Sequence, residues 1–424
     1  MQSKSYFNAY TDILHEELVP AMGCTEPIAI AFASAKAREV LDEVPDCVNI
    51  EVSGNILKNV KSVVVPNTDG LRGIPAAAAI GIVAGNAQKE LEVISQITKE
   101  QIEQTKRFLD TTPISVNFAD TPHIFDIMIT LTKGTDYAFV RIVEHHTNIV
   151  CIKKNDVTIF EKEIAPEENG LTDHSVLNIE NIIEYADNVE LSEVAPLLNR
   201  QIEYNMAIAQ EGLKNSYGAN IGSTLLAQNS TDIHQKMRAF AAAGSDARMN
   251  GCEMPVIICS GSGNQGITAS VPVIVYAKET GKDHEALLRA LCISNLVTIH
   301  LKAGIGRLSA YCGVVSAACG AAAGVAYLEG GRYDTIAHTV VNALAMDSGI
   351  ICDGAKASCA AKIASSVDAA LLGLTMYRNG NQFYSGEGLV AKGVENTIRN
   401  IGSLARNGMA DTDKEIIRLM LLSP

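Results

Sequence analysis

Apolar residues recur at helical spacing over residues 6–18, and a second helical run, residues 28–41, follows Pro27, which suits a first-turn position. Between these runs the chain reads Gly23-Cys24-Thr25-Glu26-Pro27, a loop whose backbone amides face outward at a helix N-terminus. Alternation over residues 48–52 predicts a strand, Ser53-Gly54-Asn55 breaks it, and the β-branched run 63–65 predicts another that stops at Pro66. Residues 74–87 form an Ala-rich helical pattern and residues 99–109 an amphipathic one.

The pattern changes after Thr112. Residues 114–118, 124–131, 137–143, 149–152 and 157–159 are short, β-branched and closely spaced, with turn residues at 133–136 and 153–156, as in an antiparallel sheet unit. From about Asn178 helical periodicity dominates, interrupted by Gly-rich loops at Gly251, 260–266, 304–306 and Asp353-Gly354. Residues 308–328 carry no charge over 21 positions but are mainly Ala, Gly and Ser, which predicts a buried helix rather than a membrane span. Gly320 and Gly324, at GxxxG spacing, let another backbone approach that helix. The expected fold class is α+β, mainly helical, with a smaller antiparallel β-rich unit in the N-terminal half. Its expected divisions are a helical and mixed segment (1–111), a β-rich subdomain (112–165) and a helical domain (166–424).

Composition narrows the function. The 424 residues are 47% hydrophobic and 19% charged, with a net charge of −14 and no Trp, so neither a nucleic-acid platform nor an anionic membrane surface is an expected partner. The first 18 residues mix Lys4, Asp12, Glu16 and Glu17 with apolar side chains and show no export pattern. The expected address is therefore cytoplasmic. Ten cysteines there are expected to stay reduced, which turns attention to metal binding, catalysis or plain packing.

Gly261-Ser262-Gly263-Asn264-Gln265-Gly266 fits the G-x-G-x-x-G string, but Pro272 follows inside a β-branched run where a dinucleotide fingerprint needs a helix. Two other readings are an anion-binding nest of Ser260, Ser262 and Asn264, sized for a carboxylate, and a tight turn between buried elements. The pairs Cys312/Cys319 and Cys352/Cys359 share a spacing of seven, and Asp353-Gly354 bends the chain inside the second. Zinc knuckles with C-x₂₋₄-C spacing are absent, while an iron–sulfur cluster accepts wider spacing and inert core packing accepts any. Cys47, Cys151, Cys252, Cys259 and Cys292 read as core or near-core thiols. His145-His146 shows no metal-ligand spacing, and His300 is a lesser site candidate.

Taken together, Gly23-Cys24-Thr25-Glu26-Pro27, Ser53-Gly54-Asn55 with Lys58-Asn59, the stretch from Cys259 through Gly266, Gly306-Arg307-Leu308-Ser309-Ala310-Tyr311-Cys312-Gly313 and the stretch from Cys352 through Cys359 resemble the L-cysteine desulfidase family. That family is related to the catalytic α part of the iron–sulfur L-serine dehydratases, and the resemblance runs nearly the full length. It implies a four-iron four-sulfur cluster on Cys312, Cys352 and Cys359, leaving one iron open, with Cys319 outside the set. It also implies a catalytic role for Cys24 and chemistry without pyridoxal phosphate. The resulting expectation is sulfide elimination from L-cysteine, giving pyruvate and ammonia, with L-serine dehydration as the nearest alternative. A non-catalytic iron–sulfur or zinc sensor is the reading from a different class. Thr25, Glu26, Ser53, Asn55, Lys58, Asn59, the loop Ser260, Gly261, Ser262, Gly263 and Asn264, and Arg307 are the candidates to hold a small amino-acid substrate, Arg307 being suited to a bidentate carboxylate grip. A homodimer is the expected assembly.

Overall fold

The computed structural model describes residues 5–22, 25–164, 172–306 and 309–422, so Cys24 and Arg307 lie outside the described residues. The chain opens with α1 (Ser5–Glu17), the short β1 (Pro20–Met22) and α2 (Thr25–Leu41). It continues through β2 (Cys47–Val52), α3 (Gly54–Val60), α4 (Gly73–Ala84) and α5 (Lys99–Thr111). Five strands follow: β3 (Ile114–Phe118), β4 (Asp126–Lys133), β5 (Asp136–Val143), β6 (Ile149–Lys154) and β7 (Val157–Glu161). The remainder is helical apart from β8 (Pro255–Ile257). It comprises α6 (Ile179–Asn188), α7 (Leu191–Lys214), α8 (Ile221–Gln228), α9 (Ile233–Met249), α10 (Gly263–Glu279) and α11 (His284–Ile305). The last five helices are α12 (Gly313–Leu328), α13 (Tyr333–Asp347), α14 (Ser358–Arg378), α15 (Val394–Ser403) and α16 (Ala410–Leu422). The architecture is α+β, as the hydrophobic pattern predicts.

The sheet has six strands in the order β3-β2-β4-β5-β6-β7. Most pairs are antiparallel, but β2 and β3 run parallel, with Val48 opposite Ile114, because α3, α4 and α5 supply the long crossover that parallel neighbours require. Inward residues Val48, Ile50, Ile127, Ile129, Val140 and Ile142 meet the Ala-rich helices α2 and α4 in one hydrophobic core. A second core, from Tyr10 on α1 to Ala405, gathers the C-terminal helices. Its centre is the pair α11 and α12. Gly320 lies against Ser294 and Thr298, and Gly324 against Ala290, so a side chain at either position would push the two helices apart.

Three expectations change. Residues 63–65 form no strand; Val64 makes one isolated bridge, to Arg72, and the helix α3 precedes it. The β-branched run around Pro272 is helical, since α10 continues through the proline. That helix is buried on nearly every side from Gly263 to Val275, so it has no polar face to reveal a helical period. Cys47, expected near the core, is exposed. α11 and α14 are long and apolar enough to cross a membrane by length and composition, yet 72% and 50% of their apolar windows are buried against other elements.

Candidate active site

The thiol site begins as a two-residue ladder. Tyr311 bridges Ile351 in antiparallel fashion, with Cys312 N–H donating to Ile350 O at 3.0 Å and Cys352 N–H to Ala310 O at 2.6 Å. This pairing sets Cys312, at the N-cap of α12, beside Cys352. Gly354, at φ +94°, turns the chain toward α14, whose first turn carries Cys359, and the Cys359 thiol donates to Gly354 O at 3.5 Å. Lys362, one turn further on, holds the loop by donating to Ile351 O at 3.0 Å and pairing with Asp353.

Electrostatics separates the three thiols. Cys312 and Cys352 share a hydrogen bond, and the Cys312 thiol, then Lys58, the Gly354 N–H and Lys362, hold Cys352 below the usual thiol range against the cost of burial. Cys312 is correspondingly pushed well above the usual thiol range by its bond to Cys352 and by burial. Cys359 is raised mainly by burial. The N-termini of α12 and α14 add positive potential at the same place. Cys319 is different: it is fully buried in α12, its thiol raised by desolvation and by Asp347, and no interaction links it to the other three.

Among the described residues no three His, Cys, Asp or Glu side chains converge closely enough to hold a single metal ion. A tetrahedral zinc needs that convergence, whereas a cluster gives each thiolate its own iron and tolerates a wider set. Three soft donors around one loop, with the fourth cysteine facing elsewhere, fit a cluster held by Cys312, Cys352 and Cys359.

The N-terminal half reaches this site through α3. Gly354 packs directly on the backbone of Lys58, and any side chain there would collide with the Lys58 carbonyl. Lys58 is buried, at 1% exposure, and pairs with Asp413 of α16 at 2.5 Å. On the same helix Asn55 Oδ1 is buried without a hydrogen-bond partner, and Asn59 donates to Glu26 of α2 at 3.4 Å. Thus Thr25 and Glu26, which open α2, and Asn55, Lys58 and Asn59 fall in one neighbourhood next to the cysteine loop. Ser53 has a different occupation: its hydroxyl donates to Ile124 O at 2.7 Å and accepts from Asp126 N–H, tying α3 to the sheet.

The loop after β8 is a tight turn. Cys259 and Ser262 exchange backbone hydrogen bonds, and Ser260 and Gly261 take φ +48° and +75°. Gly263 and Asn264 then open α10, with Asn264 Oδ1 accepting from Arg248 at 3.5 Å. β1 and β8 pair antiparallel, so the Met22 end of β1 and the Ser260 turn after β8 lie at opposite ends of that three-residue ladder. Contact with the thiol site comes one residue later: the Gln265 carboxamide lies against Gly313, next to Cys312. His300 pairs with Glu395 at 2.7 Å.

Lys302, absent from the sequence-based candidates, is the addition. It sits in the last turn of α11 at 7% exposure, facing Cys352, Cys312 and Lys58. Burial depresses its ammonium to about 8, the two thiols partly restoring it and Lys58 opposing. The signal in the sequence was a single lysine in the mainly apolar helical run 296–305, which also carries Thr298 and His300.

A family model described as serine dehydratase alpha chain matches residues 88–418. The chain belongs to this family. The matched span holds all three cluster candidates, while Glu26 and the residues of α3 precede it. Relatives extend the likeness across the whole chain. A UPF0597 protein of Desulfitobacterium hafniense is 58% identical over 417 residues, covering 98% of this chain and 97% of the relative. One of Lachnoclostridium phytofermentans is 53% identical over 410 residues, covering 97% and 98%, and one of Treponema denticola is 48% identical over 425 residues, covering 99% of each. The family match and the grouping of Cys312, Cys352 and Cys359 around one loop are thus two separate observations on the same stretch of chain.

Proposed function

We propose that this member of the serine dehydratase alpha chain family is a cytoplasmic carbon–sulfur lyase that converts L-cysteine to pyruvate, ammonia and hydrogen sulfide. The observation that carries the reading is the grouping of Cys312, Cys352 and Cys359 around one loop with Cys319 set apart. When bound there, a four-iron four-sulfur cluster with three thiolate ligands supplies an open iron as a Lewis acid toward a substrate thiol, in place of pyridoxal phosphate. Lys362 and Gly354 hold the ligand loop in shape. Asn55, whose amide oxygen lacks a partner, and Glu26 with Asn59 bind and orient the polar head of the substrate. Cys24, the residue before α2 in the sequence, is the proposed base for the Cα proton. Loss of that proton and cleavage of the C–S bond release sulfide and aminoacrylate. Aminoacrylate tautomerises to the imine, and water completes the reaction to pyruvate and ammonia.

L-serine dehydration in the same site is the second reading, favoured by the description of the matched family. A soft thiolate binds iron more readily than a neutral hydroxyl, which favours cysteine. Anaerobically prepared, iron-loaded protein decides between them: kcat/KM for L-cysteine, read by sulfide and pyruvate, is expected to exceed that for L-serine, read by pyruvate alone. A higher value for L-serine would reassign the substrate, and no turnover of either would remove the lyase reading.

A further inference from the structure

The helix that carries Asn55, Lys58 and Asn59 is shut on its own site. Lys58 is 1% exposed, and Asn55 Oδ1 is buried with nothing to hydrogen-bond. A ligand reaches an acceptor so placed only when an element beside it moves. At seven residues α3 is too short to hold its place alone, so its position is set by what pins it. Its N-terminal end is tied to the sheet, Ser53 Oγ donating to Ile124 O at 2.7 Å. Its inner side rests on Gly354 of the cysteine loop, and its outer side is held by one stripe of α16. Along that stripe Asp413 pairs with Lys58, Ile417 fills the space where Gly54 lacks a side chain, and Met420 O accepts from Lys61 Nζ.

The attachment of α16 suits release. A wide π turn, Leu404–Gly408, separates it from α15, with Met409 N–H donating to Leu404 O at 2.9 Å. The near side of that turn is anchored, Ser309 Oγ donating to Ala405 O at 2.7 Å and Arg406 Nη2 to Ala303 O at 2.9 Å. Beyond it α16 packs chiefly on the turn and on α3. The Asp413 side chain keeps 20% exposure, and Leu419 and Leu422 face outward. A terminal helix held this lightly opens locally at much lower cost than a core helix. We propose that α3 is a lid over the candidate site and α16 its latch, swinging on the Leu404–Gly408 turn, so that release of α3 by Asp413, Ile417 and Met420 opens the site to an amino-acid-sized ligand. This rests on the lyase reading for what enters, and not for the movement itself. It also accounts for Gly54, since a side chain there would collide with Ile417 and hold the latch off.

Hydrogen exchange of the full, iron-loaded chain, read by mass spectrometry, tests the movement. In the unaltered protein the amides of α3 and α16 are expected to exchange together, and faster than those of α12 and β2. Ile417→Ala removes packing from the latch and leaves the Lys58 and Asp413 charges in place. It is expected to speed exchange in α3 and α16 by about tenfold, with α12 and β2 unchanged, and to speed acylation of Lys58 by a similar factor. Saturating L-cysteine is expected to slow exchange in both helices, as a lid closed over its ligand requires. An α3 as protected as β2 while α16 exchanges freely would overturn the proposal, as would an Ile417→Ala variant in which every element speeds equally or Lys58 acylation does not change. Coupled exchange of α3 and α16, with no turnover or binding of L-cysteine or L-serine, would leave the lid standing and remove the lyase reading.

Discussion

Gly354 rests on the carbonyl of Lys58, closing the space between the cysteine loop and α3 so completely that no side chain fits there. Its φ of +94° is also one that residues with a Cβ rarely adopt. This single contact couples the two halves of the chain at the candidate site, because the loop between Cys352 and Cys359 can fold only against the helix that carries Asn55, Lys58 and Asn59.

Gly354→Ala therefore combines backbone strain with a collision against main chain that cannot swing aside. The expected cost is about 2–4 kcal/mol, with iron loading reduced as the loop shifts away from α3. Urea unfolding and iron per chain measure the two effects. An alanine variant with wild-type stability and iron would mean that the loop and α3 do not meet.

Asp413→Asn leaves the buried Lys58 ammonium without its counter-charge. Because the Asp413 side chain retains 20% exposure, the expected loss is about 2 kcal/mol, below the range for a fully buried pair. The double change Lys58→Met with Asp413→Leu removes both charges and is expected to recover most of that loss, as a double-mutant cycle in urea would register.

Asp246 gives a pH dependence remote from the thiols. It is fully buried; its carboxyl accepts from the Gly222 N–H at 2.9 Å, and Oδ1 has no partner. Burial raises it from 3.8 to about 6, the amides of Gly222 and Ile221 partly opposing. A carboxyl raised on folding holds its proton more tightly in the native state. Its stabilising contribution is complete below about pH 4 and is lost as pH rises through about 6, amounting to about 3 kcal/mol as an order of magnitude. Asp246→Asn keeps the acceptor for Gly222 and cannot ionise. The variant minus wild-type difference in unfolding free energy should therefore grow in its favour between pH 4 and 7; a flat difference would contradict the assignment.

Much of the fold was legible because the sheet strands alternate with period two between clear turns, and because α2, α4 and α5 start and stop at Pro, Gly and a Thr98–Gln101 capping box. α3 was not. Its seven residues follow Ser53-Gly54-Asn55, which reads as a turn, and its setting is tertiary, with Gly54 against Ile417 and Lys58 against Gly354. α10 was hidden by burial on all sides and by Pro272. Within the site, the cysteine grouping came from motif context, whereas Lys302 did not, because a lysine in the last turn of a helix ordinarily answers the helix dipole in solvent. Only the tertiary fold, which buries Lys302 to 7% exposure, reveals that this residue is turned inward.

The central claim is that three thiolates, and not four, hold the iron. Iron bound per chain after anaerobic reconstitution, compared across Cys312→Ala, Cys352→Ala, Cys359→Ala and Cys319→Ala, tests it directly. The account predicts full loading in the Cys319 variant and severe loss in each of the other three. Loss of iron from the Cys319 variant, or undiminished iron in any of the other three, would contradict it.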